Sequence, residues 1–234
     1  MSHNITYSLS KSMAVPLVAS RVVGYTAIMF ATLLFSNPLL FIVWAIGLVL
    51  AISIHEYSHA VAADRLGDPT PRSQGRLTLN PLAHLDPLGT LALLLLGFGW
   101  GKPVLFDPYN LRSPRRDSAL IAIAGPISNL LFALILSLIV NFIPGIGVFS
   151  AVFPIIIIMN ITLAIFNLVP VFPLDGEKIL GGVLPVELYR EYSTIMSQYG
   201  TIILIFMLLP IAGGVSPISA LISPVISFVA NLLL

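Results

Sequence analysis

Residues 39–63 read LLFIVWAIGLVLAISIHEYSHAVAA, an apolar run interrupted near its end by His55, Glu56 and His59. At 1.5 Å per residue such a run spans the roughly 30 Å of a bilayer's hydrocarbon core. On a helix advancing about 100° per residue, His59 lies roughly 40° round from His55 and Glu56 roughly 100°, so the three share one arc. This is H-E-x-x-H spacing: two imidazoles can reach one Zn²⁺ at roughly 2.0 to 2.1 Å while the carboxylate beside them takes a proton from water. The position strengthens the reading, because a carboxylate inside a membrane helix costs roughly 2.5 to 3.5 kcal/mol on insertion scales and marks a functional site.

Outward from this stretch, composition sets the class. Apolar residues make up 57% of the 234 and charged residues 9%, with a mean hydropathy of +1.00; a soluble domain carries about 25% charged residues. The chain is an integral membrane protein, which excludes the soluble enzyme classes. It has no Cys, so a metal must be held by His and carboxylate rather than thiolate. The N-terminal residues lack the basic start, short apolar core and cleavage site of a signal peptide, so the first apolar segment is expected to be retained.

Hydropathy predicts an all-α polytopic fold of about six transmembrane helices, near residues 13–35, 39–63, 118–142, 149–169, 194–209 and 218–234. The whole chain, 1–234, reads as a single membrane-embedded domain, with a core motif region at 40–184, a polar region at 64–117 and a C-terminal helix pair at 194–234. Under this count all eleven Lys and Arg fall on one side of the membrane, as the positive-inside rule describes. Nine of the ten acidic residues share that side, and the tenth is Glu56. Residues 86–100 are apolar but short for a span. They open with Asp86-Pro87 and end in a Gly-rich stretch, so a re-entrant or interfacial helix is expected. The flanking runs at 75–79 and 102–106 alternate enough to suggest short strands, and residues 76–79 or 104–106 could offer an edge to an unwound substrate segment.

A catalytic zinc with an open position needs a third protein ligand. Asp175 is the leading candidate. It follows Asn167, Pro170 and Pro173, where broken helix can return toward the membrane on the side where the second span ends. The alternative is that Asp175 caps a short helix beginning at Glu177. His84, in a polar loop, reads as a hydrogen-bonded turn residue more readily than as a supporting active-site residue.

Together, His55-Glu56-Tyr57-Ser58-His59 and the N-x-x-P-x-x-P-x-D-G stretch at residues 167–176 resemble the site-2 protease family of intramembrane zinc metalloproteases, here in a minimal form without accessory domains. Ala124-Gly125-Pro126 and Asn129 resemble the opening of the family's intervening helix. The resemblance implies one Zn²⁺ per chain on His55, His59 and Asp175, with Glu56 as general base and later acid. It also implies that Asn167 helps hold the substrate strand or the developing oxyanion. The implied substrates are membrane proteins cleaved in or near a transmembrane segment. The implied location is the cytoplasmic membrane of a prokaryotic cell, with both termini and the active-site side facing the cytoplasm. No nucleic-acid partner is expected. A non-catalytic metal-binding protein of the same fold is the alternative, and an intact Glu56 argues against it.

Overall fold

The computed structural model describes residues 33–96, 101–143, 145–211 and 214–234. The expected first span lies almost wholly outside them, as does the Gly-rich end of the 86–100 segment.

Helix α1, Pro38–Arg65, begins at Asn37, whose side-chain oxygen accepts from the Leu40 amide at 3.1 Å, with Pro38 in the first turn where its missing N–H costs nothing. Its 28 residues run about 42 Å, so His55 lies about 26 Å along, toward the far side of a bilayer. A short helix, α2 (Thr70–Ser73), and a 3₁₀ turn, Pro81–Ala83, lead to the apolar α3 (Pro87–Leu96). A second 3₁₀ turn, Pro108–Asn110, precedes α4 (Pro114–Phe142). Then come α5 (Phe149–Asn167), α6 (Asp175–Val183), α7 (Val186–Leu208) and α8 (Pro217–Leu233). Among the described residues α1, α4 and α5 are long and apolar enough to cross a membrane, and α8 is a shorter apolar helix.

Two boundaries differ from the hydropathy reading. The helix expected from 194 starts at Val186, because Glu187, Arg190 and Glu191 make solvated helical turns below the apolar part; polarity marks where the chain leaves lipid, not where the helix begins. The runs at 75–79 and 102–106 are not strands, and among the described residues one antiparallel bridge, Leu85 with Gly101, stands in place of a ladder. Here side chains take the backbone groups. The buried Arg76 donates to the carbonyls of Ala83, Lys102 and Pro103, and Pro103 has no N–H to give a ladder.

The core fills the space between α4, α5, α7 and α8 with Leu136, Ile157, Ile161, Leu204, Ile222 and Ile226, floored by Val169, Val171 and Leu174 of the α5–α6 connection. A second cluster of Ala63, Leu111 and Ile121 ties the end of α1 to the start of α4. The site lies between them.

Candidate metal centre

His55 and His59 leave one face of α1 with ring centroids 4.6 Å apart and are 4% and 7% exposed. Asp175 meets both: its Oδ2 lies 3.0 Å from His55 Nε2 and 3.2 Å from His59 Nε2. The carboxylate arrives because the chain turns back sharply after α5. Val169, Val171 and Leu174 are buried in the core, and a Cβ on Gly176 would run into the carbonyls of Leu168 and Val169. Asp175 is the first residue of α6, whose N-cap is Leu174 and carries no side-chain cap bond. Its carboxylate therefore turns to the imidazoles rather than capping the helix. Gly125 of α4 completes the enclosure, since a Cβ there would lie 2.5 Å from His59 Nε2 and 2.7 Å from His55 Cε1.

Hydrogen bonds behind the rings decide which nitrogens face inward. Asn129, fully buried on α4, uses its Nδ2 to donate to Ala51 O at 2.9 Å and to Asn160 Oδ1 at 2.8 Å. That turns its Oδ1 toward His55 Nδ1 at 2.7 Å, and an amide oxygen only accepts, so His55 carries its proton on Nδ1. His59 Nδ1 faces the Ile121 carbonyl at 2.8 Å and must donate likewise. Both Nε2 lone pairs then point at the Asp175 carboxylate, whose buried Oδ2 has no hydrogen-bond partner among the described residues. Three acceptors converging on one point call for a cation. Their ligand atoms lie within 4.8 Å of one another, and a tetrahedral zinc with bonds of about 2.0 to 2.1 Å sets its ligands roughly 3.3 Å apart. The donor set fits a metal, and the Nδ1 partners are the kind that orient metal-binding histidines.

Glu56 lines the same cavity of ≈ 130 Å³ together with Val104, Ala122, Asn167, Pro173 and Lys178. Its Oε2 accepts the Val104 amide at 2.9 Å, which leaves Oε1 for a proton. Asn167 donates one N–H to Leu163 O at 3.0 Å within its own helix, and among the described residues its amide makes no second hydrogen bond. His84 is elsewhere. It is buried in the loop with Nε2 on Thr78 O at 2.7 Å.

Asn129 reads from the sequence only as part of a helix opening, and the remaining contributors have no counterpart there. Asn129 and Asn160 carried a usable signal, since an amide in the middle of an apolar run needs a partner. Lys178 could have been found one turn after Asp175 on the same short helix. The Val104 amide and the Ile121 carbonyl are backbone groups and carry no sequence signal.

A cation-seeking cluster of this kind, recessed in membrane-length helices with a carboxylate alongside, defines a membrane metallohydrolase. The model of peptidase family M50 matches residues 146–209. The chain is 37% identical over 174 residues to the protein named "Putative zinc metalloprotease YwhC" of Bacillus subtilis, covering 69% of this chain and 78% of that one. It is 29% identical over 176 residues to the "Putative zinc metalloprotease Rip2" of Mycolicibacterium smegmatis, covering 72% and 67%. In fold it resembles the site-2 protease from Methanocaldococcus jannaschii, with a TM-score of 0.51 at 22% identity over 88% of this chain and 84% of that one. The chain belongs to peptidase family M50, the site-2 proteases. It is accordingly an integral membrane metallopeptidase.

Proposed function

We propose that the chain is an intramembrane zinc protease that hydrolyses peptide bonds in or near the transmembrane segments of other membrane proteins. His55, His59 and Asp175 hold one zinc per chain, Glu56 is the general base and then the general acid, and Asn167 steadies the substrate strand or its developing oxyanion. The observation that carries this reading is the convergence of two imidazole lone pairs and an unpartnered carboxylate oxygen beside a glutamate with one oxygen free.

A zinc ion held there lowers the pKa of water toward 7 and polarises a carbonyl. The chain's own groups handle the proton and the geometry. Glu56, fixed at Oε2 by Val104, accepts the proton of the attacking water at Oε1 and delivers it to the leaving amine nitrogen. Asn167 lines the same cavity, and its second N–H is the group offered to the substrate. Because a helical carbonyl is already hydrogen-bonded within its own helix, the substrate must unwind locally before attack.

Six spans, counting residues 13–35 and the α7–α8 pair, bring both termini and the mouth of the site to the cytoplasmic side of a prokaryotic cell membrane. The basic residues between α1 and α4 support that orientation. Zinc per chain, measured on detergent-purified wild type, His59→Ala, Asp175→Ala and Glu56→Gln, tests the assignment. The expected result is about one zinc in the wild type, a large loss in the first two variants and near-full retention in Glu56→Gln with turnover down about 10²- to 10⁴-fold. Zinc retained by Asp175→Ala would remove the third ligand. Wild type without zinc would leave the protease reading unsupported.

A further inference from the structure

Arg76 is 4% exposed, and among the described residues no carboxylate lies within ion-pair distance of it. Buried arginines are ordinarily paired, since an unpaired charge out of water is expensive. This one is met by three carbonyls instead: Ala83 O, Lys102 O at 3.3 Å and Pro103 O at 3.2 Å. The third decides what the guanidinium does. The peptide unit whose oxygen accepts from Arg76 Nη2 is the unit whose N–H, that of Val104, donates to Glu56 Oε2 at 2.9 Å.

We propose that Arg76 is a positioning residue for Glu56, acting through the single peptide unit that joins Pro103 to Val104. A cation on the carbonyl end polarises the unit and makes its N–H a stronger, more sharply directed donor to the carboxylate. The geometry explains why the charge is set one peptide back. A direct arginine–carboxylate pair is frequently bidentate and would occupy both oxygens, whereas the relay holds Oε2 and leaves Oε1 for the proton. The loop is built to keep the unit still. Lys102 N donates to His84 O at 2.8 Å, and His84 Nε2 is bonded to Thr78 O, so residues 76–84 clamp 102–103 against α1.

This inference rests on Glu56 being the general base. Its test is steady-state cleavage of a fluorogenic transmembrane peptide by the full chain in detergent, with zinc per chain measured alongside, for wild type, Arg76→Met, Arg76→Lys, Val104→Pro and Glu56→Gln. Arg76→Met is expected to lower kcat about 10- to 100-fold, the scale of a misplaced catalytic group, with KM within about two-fold and zinc retained. Arg76→Lys, which keeps a cation able to reach the Pro103 carbonyl, should recover at least about half of that loss on a logarithmic scale. Wild-type kcat in Arg76→Met overturns the relay. So does a joint fall of zinc, KM and kcat that lysine does not repair, which is the signature of a structural clasp. Should Arg76→Met fail to fold, Val104→Pro carries the test: it deletes the amide hydrogen and leaves Arg76 in place, and wild-type kcat there overturns the proposal. Undiminished turnover in Glu56→Gln sinks the base assignment itself, whatever Arg76 does.

Discussion

Two connections reach the metal centre, and they are held in opposite ways. Residues 66–113, between α1 and α4, are fixed by polar side chains: fully buried Asp68 accepts from Thr70, Asn110 and the Asp107 amide, and Arg76 and His84 clamp the carbonyls and amides around residue 102. Residues 168–174, between α5 and α6, are fixed by packing, with Val169, Val171 and Leu174 sunk in the core. The contrast follows from what each delivers. The first presents a backbone amide to Glu56, so its own peptide groups must be satisfied from the side. The second presents a carboxylate to two imidazoles and needs only to be rigid.

The largest expected effect is at the packed connection. Gly176→Ala would drive a Cβ into the carbonyls of Leu168 and Val169, backbone atoms that cannot rotate away, and Asp175 next to it would shift. A displacement of about 1 Å costs on the order of a hundredfold in turnover. Metal analysis should show most of the zinc gone. Full zinc in this variant would mean that the packed connection yields as easily as a loop, and the contrast would fail.

Neither connection touches the backs of the imidazoles. Asn129→Ala takes the acceptor from His55 Nδ1 while leaving both loops intact, and weakened metal binding of roughly 10- to 100-fold is expected, read by competition with a chelator. Affinity equal to wild type would shift orientation of the rings from α4 back to the α5–α6 connection.

The packed connection was easier to read in the sequence than the polar one. Asp175 was legible because two prolines end a helix and an acid follows them, and the H-E-x-x-H spacing fixed the face of α1. The alternation at 75–79 and 102–106 was real but misleading: a period of two describes extended chain, and only partners make it a strand. Those partners are Arg76 and His84, whose reach across 18 to 27 positions leaves no local pattern. Val104 is invisible for the same reason, since any residue but proline would supply its amide. Asn129 stands in a recognisable helix opening, yet its role depends on α1 and α5 arriving on either side.

A smaller effect belongs to the polar connection. Asp68→Asn removes one acceptor from donors that have no other partner among the described residues, costing about 1 to 3 kcal/mol, and zinc per chain should not change because Asp175 is held elsewhere. Thermal midpoints in detergent measure the loss. Zinc falling in step with stability would show that the two connections are one cooperative unit.

The smallest effects lie at the two ends of the pH scale, one for each connection. Burial acts to raise the Asp68 pKa, but the hydrogen bonds from Thr70, Asn110 and Asp107 outweigh it and hold the carboxyl below its usual range. Its contribution to stability is therefore fully present above the unfolded value near ~4 and is lost as pH falls through the lower folded value. The gap in thermal midpoint between wild type and Asp68→Asn should close in that acid window. Tyr192 sits on the other side: its hydroxyl donates to Pro170 O at 2.9 Å, and burial, helped by Glu177, pushes its pKa up to about 12. A raised pKa contributes stability below the unfolded value of ~10 and loses it as pH climbs toward the folded value. Spectrophotometric titration of the phenolate, with Tyr192→Phe as the difference, should show this tyrosine ionising near pH 12. If Tyr192 instead ionised at its unfolded value of ~10, the Pro170 carbonyl would have no fixed donor from α7, and packing alone would hold the connection that carries Asp175.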